Sequence, residues 1–251
     1  TSVSADYFGV LRKLVKEKWG EEVHVLGMIG AAGNLAPRDL LRIRRRKGRD
    51  GQPELQAAAR RLMWAIEEGL ETTGRQIDAS PVVRHTVHSV RLPLRTVGLE
   101  EAEAARKQWE EFLAQFKEAE DPEAFYDSLD FARLGDIYNA YAIVRRDERL
   151  RRDPLFPIEV HALRIGDAAV VTNPFELYTE YGLQMKARSA AEQTFVAQLT
   201  NGYWGYLPTA NAISGGAYGS RVFSGFFGDD GGRLLVEYSV QAIRELWEEQ
   251  T

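Results

Sequence analysis

Strand-type and helix-type hydrophobic patterns alternate along most of this chain, and that alternation constrains the fold more than any other feature. Ser4 or Asp6 can cap a first helix on which Phe8, Leu11, Val15 and Trp19 recur at three-to-four spacing. Residues 23–29 (VHVLGMI) read as a buried strand running into the small-residue turn 30–37 (GAAGNLAP). Residues 53–75 read as a helix opened by Pro53, with Leu62, Ala65, Ile66 and Leu70 on its apolar side. Residues 81–94 alternate like a strand. Helices over 100–119, striped by Trp109, Phe112, Leu113 and Phe116, and over 122–146 follow. Residues 156–163 and 168–172 form a strand pair turned by IGDA; 175–188 reads as helix, 194–199 as strand and 232–249 as a terminal helix. The expectation is one α/β domain with a mixed, largely parallel sheet flanked by helices, and a helical segment near 99–150 that reads as an insertion.

Composition narrows the function. The 251 residues suffice for a sizeable core, and 44% hydrophobic with 27% charged residues is ordinary for a soluble globular protein. A net charge of −5 argues against nucleic acid as the partner, and the one basic run, 42–49, reads as a solvated face. Cysteine is absent, which excludes disulfides, thiol catalysis and cysteine-ligated metals. No run approaches the roughly 18 apolar residues of a membrane span. No signal peptide is visible, and the compartment stays open, cytoplasmic or exported.

Most local motifs favour plain structural readings. The turn GMIGAAGN lacks the Gly-Lys-Ser/Thr ending of a phosphate loop and the dinucleotide glycine spacing. It does lie at a strand end, where α/β proteins open a crevice, so Asn34 and Arg38 are candidate lining residues. His85 and His88 fall on opposite faces of one strand, and His24 and His161 stand singly in others, so three histidines on one zinc are not expected. No Gly-x-Ser-x-Gly elbow occurs. Glu176, in VVTNPFELY, follows a hydrophobic strand end; it reads either as a first-turn helix glutamate or as a functional carboxylate. The segment NGYWGYLPT, residues 201–209, is too broken by Gly and Pro for a core strand and too aromatic for a solvent loop.

Three segments in order, GAAGNLAPRD, NPFELYTEYGLQMKARS and NGYWGYLPTANAISGGAY, together with VSADYFG near the start, resemble the catalytic domain of neutral/alkaline, non-lysosomal ceramidases. The resemblance runs from Val3 to Leu246 and is densest over 156–220. It implies a zinc-dependent hydrolase that cleaves an amide or related C–N bond with a metal-bound water. Glu176 and Tyr206 would be zinc ligands, and Tyr218 would steady the oxyanion. Tyr203 and Trp204 would line the substrate site with Asn34 and Arg38. Two further histidine ligands are expected upstream of Val3, in a missing N-terminal segment or on a second chain. Three positions depart from the pattern. Ala36 stands at the serine nucleophile, Asn34 at an aspartate and Phe175 at a glycine. Ala36 makes ceramide itself a doubtful substrate, although a small-molecule or lipid-like one is still implied. The alternative is a ceramidase-like binding or scaffold protein without activity. An N-terminal nucleophile hydrolase beginning at Thr1 is a third, minor reading.

Overall fold

The computed structural model describes residues 3–36, 52–73 and 77–248. They divide into two compact units, one drawn from residues up to Met28 and from Ala36 to Pro81, the other from Ile29–Leu35 and from Val82 onward. Arg38, the basic run 42–49 and Thr1 lie outside the described residues.

The first unit is a helical pair, α1 (Asp6–Trp19) and α2 (Gln52–Thr73). Leu11 and Val15 meet Ala59 and Met63, with Phe8, Leu14, Trp19 and Ile66 around them. The buried face of α2 shares only Ile66 with the one expected. Leu62 and Leu70 are exposed, because the stripe that meets α1 runs through Ala59, Met63 and Ile66. The strand expected at 23–29 does not form, and Val23, Leu26 and Met28 are exposed. A strand needs a neighbour for its ladder. Here Val25 O accepts from the Arg12 side chain, and Gly27 lies so close to the Phe8 ring that a Cβ would meet it at 2.6 Å.

The second unit is built on a four-stranded sheet in the order β1 (Val83–Pro93), β2 (Leu155–Ile165), β3 (Ala168–Thr172), β5 (Gln193–Ala197). The α/β class and the mixed sheet stand as expected. Among the described residues, parallel pairing is confined to β3 with β5 and to a small sheet of β4 (Glu176–Leu177) with β6 (Tyr206–Leu207), so the sheet is mixed but not largely parallel. The β2–β3 hairpin turns through Gly166 and is antiparallel, as is the long β1–β2 pair. Side chains alternate across these strands. Val90, Leu92, Val160 and Val171 point to one face, where α8 (Asp229–Glu245) covers them with Leu235, Val240 and Ile243. The opposite face presents Val83, His85, Val87 and Phe195, all exposed.

Between β1 and β2 the expected helical segment is present as α3 (Leu99–Glu118), α4 (Pro122–Asp127) and α5 (Phe131–Arg152). The single helix read over 122–146 is broken, because Asp130 stops the chain and caps α5, its carboxylate accepting from Arg133 N at 2.7 Å. Trp109 packs tilted against Tyr141 with ring centroids 4.9 Å apart, and Phe112 reaches Phe116 and Phe125. From the far half of α5, the buried Arg146 donates to Phe226 O at 2.6 Å and Gly225 O at 2.9 Å. Burial, and then the charge of Arg95, holds its pKa down to about 10. These two bonds tie α5 to the segment that backs β6. No described helix is long and apolar enough to cross a membrane.

Candidate functional site

Glu176 does not open a helix. The chain leaves β3 through Asn173-Pro174, makes the short strand β4, and enters α6 (Thr179–Arg188) only after Tyr178. The first-turn reading of this glutamate therefore falls. Pro174 cannot donate to a ladder, and its carbonyl instead accepts from Trp204 N at 2.9 Å. Glu176 N donates to Gly205 O at 3.0 Å, and the parallel register sets Glu176 directly beside Tyr206.

The turn at 30–34 lies against β4 and the start of α6, and this explains its small residues. Gly33 N donates to Leu177 O at 2.8 Å, and a Cβ on Gly33 would stand 2.2 Å from Glu176 O. Gln198 Oε1 accepts from Leu177 N at 3.0 Å and from Ala32 N at 3.3 Å, stitching turn and strand together. Asn34 is bound to the helix end. Its Oδ1 accepts from Thr179 N at 2.8 Å and Thr179 Oγ1 at 2.7 Å, while Nδ2 donates to Glu180 at 2.9 Å. Its amide thus completes the amino end of α6, a different task from the substrate contact expected of it. Asn34→Ala should lower stability by about 1 kcal/mol through the lost cap, read as a shift in the urea midpoint.

The aromatic stretch 201–209 supplies the facing side. Tyr203 is exposed, and its hydroxyl donates to Glu176 Oε1 at 3.0 Å. Burial first, and then this bond to Glu176, raises the Tyr203 pKa above the usual phenol value. Trp204 turns the other way, against Phe156 at 4.7 Å and Phe226 at 5.8 Å, so its indole is a wall of the core. Tyr206 is half-buried, and its phenol is held protonated beyond the ordinary range. Burial is the main cause, followed by the adjacent Glu176 carboxylate and the nearby Tyr218. Tyr218 sits in a 3-10 turn, Tyr218–Ser220, with its exposed ring edge-on to Tyr206 at 6.0 Å. Beyond β6, the buried Tyr181 hydroxyl lies 3.0 Å from Pro208 O and 2.9 Å from Asp229, fixing where the loop leaves.

The structure thus gathers Glu176, Tyr203, Tyr206 and Tyr218, while Trp204 and Asn34 serve neighbouring structure. Among the described residues, no group of three or more His, Cys, Asp or Glu side chains is placed to hold a metal ion. What Glu176 and Tyr206 offer is a pair of adjacent oxygen donors, a carboxylate and a phenol, which suits part of a zinc site. A sequence reading strand by strand overlooks one cluster. His161 is not single: its ring meets His85 across the strands and Glu159 along its own, at the base of the aromatic loop.

No protein-family model matches the sequence, and no curated protein matches it. Among solved structures, neutral ceramidase from Pseudomonas aeruginosa superposes over 98% of this chain with a TM-score of 0.59 and 14% identity. This chain spans only 41% of that protein. A ceramidase complexed with C2 matches over 36% of this chain and 15% of its own, with a TM-score of 0.33 and 14% identity. What the first of these likenesses establishes is a ceramidase-like fold across nearly the whole chain.

Proposed function

We propose that this chain carries part of the centre of a zinc-dependent hydrolase that cleaves an amide or related C–N bond in a lipid-like or other small substrate. The observation that supports this most is the register of β4 on β6. It puts Glu176 and Tyr206 side by side, with Tyr203 bonded to the carboxylate and Tyr218 against the second ring. Glu176 and Tyr206 are two ligands of a larger set. A zinc ion held by Glu176 and Tyr206 with further ligands would supply Lewis acidity and lower the pKa of a bound water. The chain's own residues do the rest. Tyr203 orients Glu176 through its hydrogen bond, and Tyr218 offers its hydroxyl to the charge that develops on the carbonyl oxygen. Ala36 provides no hydroxyl, so this reading gives the attack to water.

A cation beside Tyr206 reverses the local electrostatics. Without one, burial and Glu176 keep the phenol neutral well past its ordinary titration; with one, the phenolate is favoured. Zinc added to the full-length protein at neutral pH should therefore raise the ultraviolet absorption of phenolate. Tyr206→Phe should abolish that signal, and Glu176→Ala should abolish stoichiometric zinc uptake by calorimetry. A full-length protein that takes up no zinc, or that takes it up equally well in both variants, overturns the proposal. A second reading, a binding protein that kept the fold and lost the centre, draws on Ala36 and on the commitment of Asn34 to the end of α6. It requires hydrolysis of a fluorogenic N-acyl amide to be absent and indifferent to Glu176→Ala.

A further inference from the structure

The exposed face of the sheet carries a row of polar side chains that ends at the aromatic loop. In the β1–β2 ladder Val87 is opposite His161, so His85 is its diagonal neighbour on the same face. The two imidazoles stack with centroids 5.2 Å apart, and His85 Nε2 lies 2.9 Å from His161 Nδ1. The other ring nitrogen, His161 Nε2, is 2.7 Å from Glu159 Oε1. Asn201 Nδ2 donates to the same oxygen at 2.9 Å and lies 2.7 Å from His161 Nε2.

Donor and acceptor rules order this row. An ionised carboxylate can only accept, so His161 Nε2 must carry a proton. In the neutral ring that leaves Nδ1 as the acceptor, and His85 Nε2–H donates to it. The row then runs from His85 to His161 to Glu159; His161 Nε2 and Asn201 Nδ2 both donate to Glu159 Oε1, so their own 2.7 Å approach is two donors crowded on one oxygen and not a bond between them. His161 is fixed from a further side as well, its backbone N–H donating to Thr172 Oγ1 at 3.0 Å. The other charged side chain that β1 and β2 present on this face is Arg91, the diagonal neighbour of Glu159 across the ladder. Arg91 on β1 is paired with Asp153 at 2.6 Å, and β3 and β5 present Thr172, Gln193, Phe195 and Ala197 on this face.

The loop needs such an anchor. Leu199 and Asn201 both take left-handed backbone angles, with φ of 56° each. A leucine there is strained, because its Cβ crowds the following carbonyl. Two residues after Asn201 stands Tyr203, whose hydroxyl meets Glu176.

We infer that Glu159 and His161, braced by His85, are positioning residues: they hold Asn201, and through it set Tyr203 against Glu176. In the site proposed above they would tune the carboxylate ligand without touching substrate. The inference rests on that reading only for its consequence in catalysis. Glu159 itself is held below the usual carboxylate range, by its bond from His161 first and then by Asn201. A depressed carboxylate pKa means the anchor is intact above the ordinary range and opens as pH falls through the lowered value.

The test uses the full-length protein, labelled at tyrosine Cζ and backbone nitrogen, with no metal and no substrate added. His161→Ala and Glu159→Ala should shift the amide resonances of residues 201–205 and, as the Tyr203–Glu176 bond loosens, the Tyr203 Cζ resonance. His161→Gln, whose amide can still donate to Glu159, should restore both toward the unaltered protein. Acidifying the unaltered protein should reproduce the loop shifts with a midpoint below the usual carboxylate value, and His161→Ala should move that midpoint upward. Unmoved loop amides in His161→Ala, or equal behaviour of His161→Ala and His161→Gln, overturn the inference. Because no readout requires zinc, a protein that binds none can still pass this test.

Discussion

Phe175→Ala should lower the stability of the sheet-bearing unit by about 3–5 kcal/mol, read from the urea midpoint of the full-length protein. The Phe175 ring is fully buried, edge-on to Phe227 at 5.1 Å, and it belongs to the same core as Leu92, Leu177 and Leu207. Its removal leaves a cavity under β4, the strand that carries Glu176. The resemblance to ceramidases expects glycine here, which makes Phe175→Gly the informative companion. If the phenylalanine merely obstructs a site, glycine should cost little stability and open the site. The packing predicts the reverse: glycine should destabilise more than alanine, since it adds backbone freedom to the lost ring. A Phe175→Gly protein as stable as the original would show that the ring is dispensable.

Gly205→Ala should be comparably damaging, by about 2–5 kcal/mol, combining roughly 1–2 for a left-handed backbone with roughly 1–3 for overpacking. Gly205 has φ of 72°, and a Cβ there would lie 2.2 Å from Ser224 O. Its carbonyl receives Glu176 N, and the residue itself bridges Gly225, so any shift is passed to both neighbours of the site. Gly205→Asn separates the two costs. Asparagine accepts left-handed angles but keeps the Cβ. Near-equal losses for Ala and Asn would assign the effect to the close approach of two backbones.

Where hydrophobic period and turn chemistry agree, the sequence announces its own structure. β1 alternates over its whole length, the β2–β3 hairpin is marked by its glycine turn, and α3 carries one aromatic stripe. Residues 23–29 mislead because apolarity without a pairing partner yields no ladder. β4 is hidden because its ladder is two residues long, below any period, and is followed at once by a helix. The same limit applies to the site. Glu176 stood out by position, but its pairing with Tyr206 came from resemblance, since no local pattern joins two segments so far apart. The His85–His161 contact is set by the β1–β2 register, which periodicity within either strand leaves open.

The β4·β6 ladder has a consequence for the order of events during folding. Glu176 and Tyr206 are partners across thirty positions of chain, and only two residue pairs close the ladder. Bringing the ends of such a loop together costs about 3 kcal/mol in chain entropy, about what the few backbone bonds of so short a ladder return at roughly 1 kcal/mol each, so the ladder has little drive to form alone. The ladder therefore forms after the larger sheet and α8 have brought the flanking segments into place. On the proposed zinc reading the two ligands stay apart until the core is nearly complete, so added zinc should leave the rate of refolding unchanged and slow only unfolding.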